Sequence, residues 1–244
     1  MLIYVVMVLI SLLLAFLCGS IPVALAIGKS IRGVDVREHG SGNAGSTNAI
    51  RVLGLGLGLV VFALDVLKGV LGCIIVKITA YLAVAIASTA AISEEILHGS
   101  DSLTTDPIIS IFAGGQVDML YQIPLALAII AAVLGHMLSP FMGFKGGKGV
   151  ATALGCVAVV LPFTAVCSFA VFIVIVLITL YVSLGSIIAV ATVPVFTAIF
   201  YLSPTYIVFT ILMALAVIWA HRKNIGRLLK KEEPKFTIPK KDKK

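Results

Sequence analysis

GVATALGCVAVVLPFTAVCSFAVFIVIVLITLYVSLGSIIAVATVPVFTAIFYLSPTYIVFTILMALAVIWA, residues 149–220, runs for 72 positions without one charged side chain. Soluble domains do not sustain such a run, since about a quarter of their residues are charged, whereas this whole chain has 12%. A helix needs about 20 apolar residues to cross the hydrocarbon core of a bilayer, so the run holds four tightly joined crossings. Gly, Ser and Pro gather at Pro162, at Ser183 to Ser186 and at Ser203-Pro204, which predicts the breaks between them.

Working outward, Tyr121 to Phe141 reads as a further span, Val52 to Val76 as another that encloses Asp65 and Lys68, and Leu2 to Ile27 as the first. The apolar run from Ala80 to Ile92 is short for a crossing. Ser93 to Asp106 is acidic and lacks Lys and Arg, as an outside loop should. Four crossings bring the chain back to the side it left, so His221 to Lys244 shares a face with residues 144–149 and with the loop after the first span. That tail carries ten of the eighteen Lys and Arg residues. The positive-inside rule therefore makes this face cytoplasmic. The expected fold is an all-α integral membrane bundle of about seven transmembrane helices, N-terminus outside and C-terminus in the cytoplasm. Residues 1–230 form one transmembrane domain, 231–244 a basic cytoplasmic tail, and 81–118 an insertion on the outer side. Lipid-facing positive charge accounts for the net +7 better than a nucleic-acid footprint does. Cys18, Cys73, Cys156 and Cys167 stand apart among apolar neighbours and read as packing residues.

Four polar constellations interrupt the apolar background. In FKGGKGVAT, residues 144–152, Lys145 and Lys148 sit among Gly146, Gly147 and Gly149 ahead of a helix. Glycines admit an anion to the backbone, lysines neutralise it and a helix N-terminus favours it, which points to a phosphate. The alternative is a basic topology turn, which does not require glycines. The P-loop spacing fails here, which argues against a nucleotide hydrolase. GSGNAGSTN, residues 40–48, surrounds Arg51 with neutral donors in Ser41, Asn43, Gly45, Thr47 and Asn48, and suits a phosphomonoester that carries free hydroxyls. Its plain reading is a turn with a helix cap. Asp65 and Lys68 stand i, i+3 within a span, either as a structural clamp or as a substrate contact. His136 precedes the lysine loop, and His221, Asn224 and Arg227 lie about a turn apart as the last span ends, with Glu233 beyond.

In this order the segments resemble the bacterial acyl-phosphate:glycerol-3-phosphate acyltransferase family, PlsY: GSIP at Gly19 to Pro22, SGNAGSTN at Ser41 to Asn48, DVLKG at Asp65 to Gly69, GHMLSPFMGFKGGKGVAT at Gly135 to Thr152, and HRKNIGRLLKKEEPKF at His221 to Phe236. The resemblance implies an enzyme that moves an acyl chain from acyl phosphate to the sn-1 hydroxyl of glycerol 3-phosphate, at the cytoplasmic face of the bacterial cell membrane. Ser41 and Arg51 match its first motif. The lysine loop matches the glycerol-phosphate-binding motif, and His221 and Asn224 match the activity residues of the third. Glu233 matches a glutamate that looks structural. Ser139, where the family has proline, and Lys231, where it has glycine, depart from the pattern. No cofactor and no metal are expected; the partners are glycerol 3-phosphate, acyl phosphate, the bilayer and other enzymes of phospholipid synthesis. The base is left among His221, His136 and a substrate phosphate. An organic-phosphate transporter and a non-catalytic membrane scaffold are the readings from other classes.

Overall fold

The structure, a computed structural model, describes residues 2–97 and 116–237. Its helices are α1 (Leu2–Ser20), α2 (Val23–Arg32), α3 (Ser46–Leu53), α4 (Leu55–Leu97), α5 (Gln116–Met137), α6 (Val150–Val160), α7 (Pro162–Thr179), α8 (Val182–Tyr201), α9 (Pro204–Ala220) and α10 (Arg222–Leu229), with one 3-10 turn at Pro140–Met142. There is no strand among the described residues. The chain is an all-helical, multi-pass membrane protein. Among the described residues, five helical stretches are long and apolar enough to cross a bilayer, and a sixth is α9 with α10 if that pair, bent by 60°, counts as one span.

The four helices expected between residues 149 and 220 are present as α6 to α9. However, α6 has 11 residues and rises only about 17 Å, roughly half the hydrocarbon thickness. The expected count of seven therefore depends on this short helix. Boundaries also differ from the sequence reading: the first span breaks at Ile21-Pro22, and the second starts at Leu55, after α3 has ended at Leu53. The break expected at Ser183 to Ser186 falls at Leu180, which takes a left-handed φ of 62°, and the Tyr181 N–H donates to Thr179 Oγ1 at 3.2 Å. The serines and Gly185 lie inside α8, where they are buried. Polar and small residues inside lipid serve close packing as readily as turns. Further back, α4 continues through Lys77 to Leu97, so the second span and the short run after it are one helix. No glycine or proline follows Gly72 to stop it, and Lys77 is exposed. Most of the expected outer insertion lies outside the described residues.

α5 is the central and most buried of the long apolar helices, while α7 is the most exposed and faces lipid. Gly69 on α4 and Gly155 on α6 set the closest approach near the site. A Cβ on Gly69 would strike the Thr152 carbonyl, and one on Gly155 would strike that of Val66. This crossing presses the start of α6 onto α4 beside Asp65. The first span breaks at Pro22, and the Ile21 carbonyl accepts from Lys68 Nζ at 2.9 Å.

Candidate active site

Three polar segments far apart in sequence meet around one cavity of about 330 Å³. The loop before α3 supplies Ser41, Asn43 and Gly45, and α3 itself supplies Thr47 from its first turn and Arg51 from its last. The stretch before α6 supplies Lys148 and Gly149, and the α9–α10 junction supplies His221 and Asn224. His136 and Asp65 also line the cavity, from α5 and α4.

Asn48 holds the first loop together. Its side-chain amide donates to the carbonyls of Val36, at 2.7 Å, and His39, at 3.1 Å, and its Oδ1 accepts from the Ser41 N–H at 2.8 Å. Both of its amide hydrogens are thus engaged within the protein, so its part is to set Ser41 in place. Gly40, at φ 62°, packs so closely on Asn48 that a Cβ would strike the amide oxygen. Asp35 anchors the same loop by accepting from Arg37 Nε and Nη2 at 3.0 and 2.8 Å, and these bonds hold its carboxyl well below the usual range.

A chain of side chains crosses the opposite wall. Lys148 Nζ donates to Asn224 Oδ1 at 2.5 Å, Asn224 Nδ2 donates to Glu233 Oε1 at 2.6 Å, and Arg227 Nε donates to Glu233 Oε2 at 2.6 Å. Burial alone would raise the Glu233 carboxyl; the hydrogen bonds from Arg227 and Asn224 outweigh it and keep it low. Burial, partly opposed by Glu233, brings Lys148 down to about 8. His221 is fixed through Nδ1, 2.8 Å from the Val217 carbonyl. A carbonyl only accepts, so Nδ1 carries the hydrogen and the neutral ring keeps its lone pair on Nε2.

His136 sits differently. Its Nδ1 is 3.2 Å from Thr152 Oγ1 and 3.7 Å from Asp65 Oδ1, and the other side of the ring lies where a Cβ on Gly147 would be. The amides of Gly146 and Gly147 donate to the carbonyls of Met137 and His136 at 3.0 and 3.1 Å. These two glycines thus cap α5 and leave room for the imidazole; their amides are not turned to an anion. Lys145 is exposed and does not line the cavity, and Arg227 is engaged by Glu233. Among the described residues, the Lys and Arg side chains that line the cavity are Arg51 and Lys148.

The two departures from the family pattern have local explanations. Ser139 Oγ donates to the Ser20 carbonyl at 2.6 Å, which ties the turn before the lysine loop to the first break. Lys231 has φ 59°, a conformation glycine adopts without strain. Residues 232–237, read from sequence as the start of a tail, return over the cavity instead. Phe236 N–H donates to the Leu180 carbonyl at 2.7 Å, Arg51 Nη2 donates to the Pro234 carbonyl at 3.4 Å, and Pro234 and Phe236 join the lining. Ser183 and Ser186 also line it. Their i, i+3 spacing in an apolar helix was the available sign.

Past Phe62, Phe169 and Phe172 the cavity meets a second, apolar space of about 60 Å³ between α6, α7, α8 and α9, reaching Val157, Val193 and Met213. A polar, cationic chamber thus lies beside an apolar slot, and the two share Phe62, Val150, Ala151, Phe169 and Phe172 in their walls. The profile described as Glycerol-3-phosphate acyltransferase matches residues 9–231. The chain belongs to the glycerol-3-phosphate acyltransferase family. Glycerol-3-phosphate acyltransferase of Shouchella clausii is 36% identical over 230 residues, covering 93% of this chain and 94% of the relative. That of Clostridioides difficile is 38% identical over 222 residues, covering 91% and 92%. Among solved structures, the glycerol 3-phosphate form of the integral membrane acyltransferase PlsY is 36% identical with a TM-score of 0.71, over 94% of this chain and 96% of that one. Its lysophosphatidic acid form is 35% identical with a TM-score of 0.69, over 94% and 95%. The cationic chamber of this family member is therefore the place to look for its chemistry.

Proposed function

We propose that this chain transfers a fatty acyl group from acyl phosphate to the sn-1 hydroxyl of glycerol 3-phosphate, at the cytoplasmic face of the bacterial cell membrane, giving lysophosphatidate and inorganic phosphate. The observation that carries this reading is the single cavity holding Arg51, Lys148, Asn224 and His221 with the apolar slot beside it. Phosphate groups lie against Arg51, Lys148 and the N-terminal turn of α3, where Gly45 and Thr47 face the cavity. The acyl chain runs past Phe62 and Phe169 into the hydrocarbon.

Transfer proceeds in one displacement. The sn-1 oxygen forms the ester bond to the acyl carbon, the bond from that carbon to the phosphate oxygen breaks, and phosphate leaves with the electron pair. The hydroxyl proton goes to Nε2 of His221, whose tautomer the Val217 carbonyl supports. Asn224, gripped between Lys148 and Glu233, and Ser41 orient the reacting groups. Lys145, Gly146 and Gly147 shape and charge the surroundings of the site from outside the cavity. The N-terminus lies outside and the C-terminus in the cytoplasm, with α6 completing seven membrane passages.

The test is direct. Purified protein in lipid, given acyl phosphate and labelled glycerol 3-phosphate, forms labelled lysophosphatidate and phosphate in equal amounts. Uptake of glycerol 3-phosphate into sealed vesicles with no acylated product would assign the chamber to transport.

A further inference from the structure

Asp65 is 2% exposed, and its two carboxylate oxygens have very different surroundings. Oδ1 is 2.8 Å from Lys68 Nζ and 3.7 Å from His136 Nδ1. Oδ2 is buried and, among the described residues, has no hydrogen-bond partner. Asp65 also lines the polar cavity. An ionised carboxylate only accepts, and leaving one oxygen undonated in a buried site is costly. A ligand that brings a hydroxyl to this point removes that cost.

We infer that Asp65 Oδ2 is the acceptor for the sn-2 hydroxyl of glycerol 3-phosphate, and that this contact selects the sn-1 hydroxyl for acylation. The inference rests on the acyltransfer reading above and assigns a substrate contact to a residue that otherwise serves as a clamp. Glycerol 3-phosphate carries two hydroxyls; one must lose its proton, and the other needs only to be held. Asp65 is suited to holding. Protonating it would leave Lys68, 4% exposed, buried without its counter-charge, so the ion pair opposes proton transfer to this group. In the acyltransfer reading His221, whose Nε2 lone pair is free, takes the proton. With the phosphate on Arg51 and Lys148 and the sn-2 hydroxyl on Asp65, the glycerol backbone is fixed at two points and its free end is the sn-1 oxygen.

The experiment compares glycerol 3-phosphate with 3-hydroxypropyl phosphate, which lacks the 2-hydroxyl, as acceptors for acyl phosphate in purified wild type, Asp65→Asn and Asp65→Ala. Wild type is expected to favour glycerol 3-phosphate by about tenfold or more in kcat/KM, since the analogue leaves the buried oxygen unpaired. Lys68 is a donor only, so in Asp65→Asn the amide oxygen turns to Lys68 and the NH2 faces the cavity. That variant is expected to lose part of the preference, because its NH2 can still donate to the hydroxyl oxygen but without the carboxylate's charge, and Asp65→Ala is expected to lose all of it, whatever either does to the absolute rate. Where Asp65→Ala does not fold, the isosteric Asp65→Asn decides. Equal use of both acceptors by wild type, or an unchanged preference in Asp65→Asn, would overturn the inference and leave Asp65 a clamp for Lys68. Failure of wild type to acylate either acceptor would instead overturn the acyltransfer reading itself.

Discussion

Glu233 bonds to both Asn224 and Arg227, and through Asn224 it reaches Lys148. Its substitution therefore acts at a distance. Glu233→Gln keeps the shape but exchanges two charge-assisted bonds for weaker ones, and should lower kcat/KM by about 10- to 100-fold, with kcat carrying most of the loss. Steady-state kinetics checks this, and Asn224→Ala should be at least as damaging. The two basic residues of the 51 and 145 positions should separate. Arg51 lines the cavity and Lys145 does not, so Arg51→Ala is expected to raise the KM for glycerol 3-phosphate by roughly tenfold or more, and Lys145→Ala by less than about threefold. A pH profile reads Lys148. With its value at about 8, it is charged below that pH and neutral above it, while a phosphate monoester becomes a dianion above about pH 6. The KM for glycerol 3-phosphate should be lowest between these limits and rise as pH passes through 8, and Lys148→Arg should flatten the alkaline rise. A KM that is flat from pH 7 to 9 in the wild type would remove Lys148 from phosphate binding.

At the scale of elements, the α4–α6 crossing fixes the floor of the site. Thr152 lies at that contact, four residues after Lys148, and bonds to His136. Gly155→Leu should force the helices apart, costing about 1–3 kcal/mol of stability as overpacking does, and should reduce activity by displacing the start of α6. A thermal melt in detergent beside the acylation rate checks both effects; normal melting with normal activity would contradict the crossing. Apolar length and the proline at 162 made the α6–α7 boundary legible in the sequence. The α7–α8 break was not legible, because Leu180 has no intrinsic preference for the left-handed conformation it adopts. The serines and glycine expected to form that break lie in α8, since polar and small residues in a membrane helix mark close packing and cavities as often as turns. The same ambiguity separates the site residues. Residue type brought Lys148, Arg51, His221 and Asn224 into view, but nothing in type or spacing distinguishes Lys145 from Lys148, or a glycine that frees its amide from Gly146 and Gly147, whose amides go to α5. Those differences depend on how the loop docks on α5, a tertiary fact.

At the scale of the molecule, the account requires residues from the ends and the middle of the chain to share one chamber on one side of the membrane. The fold does this by hinging α9 and α10 by 60° at His221, so that the last span delivers Asn224 to the cavity and then turns the chain back over it. Counting crossings from composition reaches the same convergence, but it does not foresee that residues 232–237 close the chamber, because they stand at the head of a lysine-rich tail with no apolar run to mark a return. The most direct measurement is the sidedness of single cysteines placed at Ser41, Lys145 and Lys223, all exposed, with Cys18 and Cys167 replaced by alanine. An impermeant maleimide applied to sealed right-side-out and inside-out vesicles should label all three from the inner face alone. Labelling of Lys145→Cys and Lys223→Cys from opposite faces would contradict the shared chamber and the acyl transfer assigned to it.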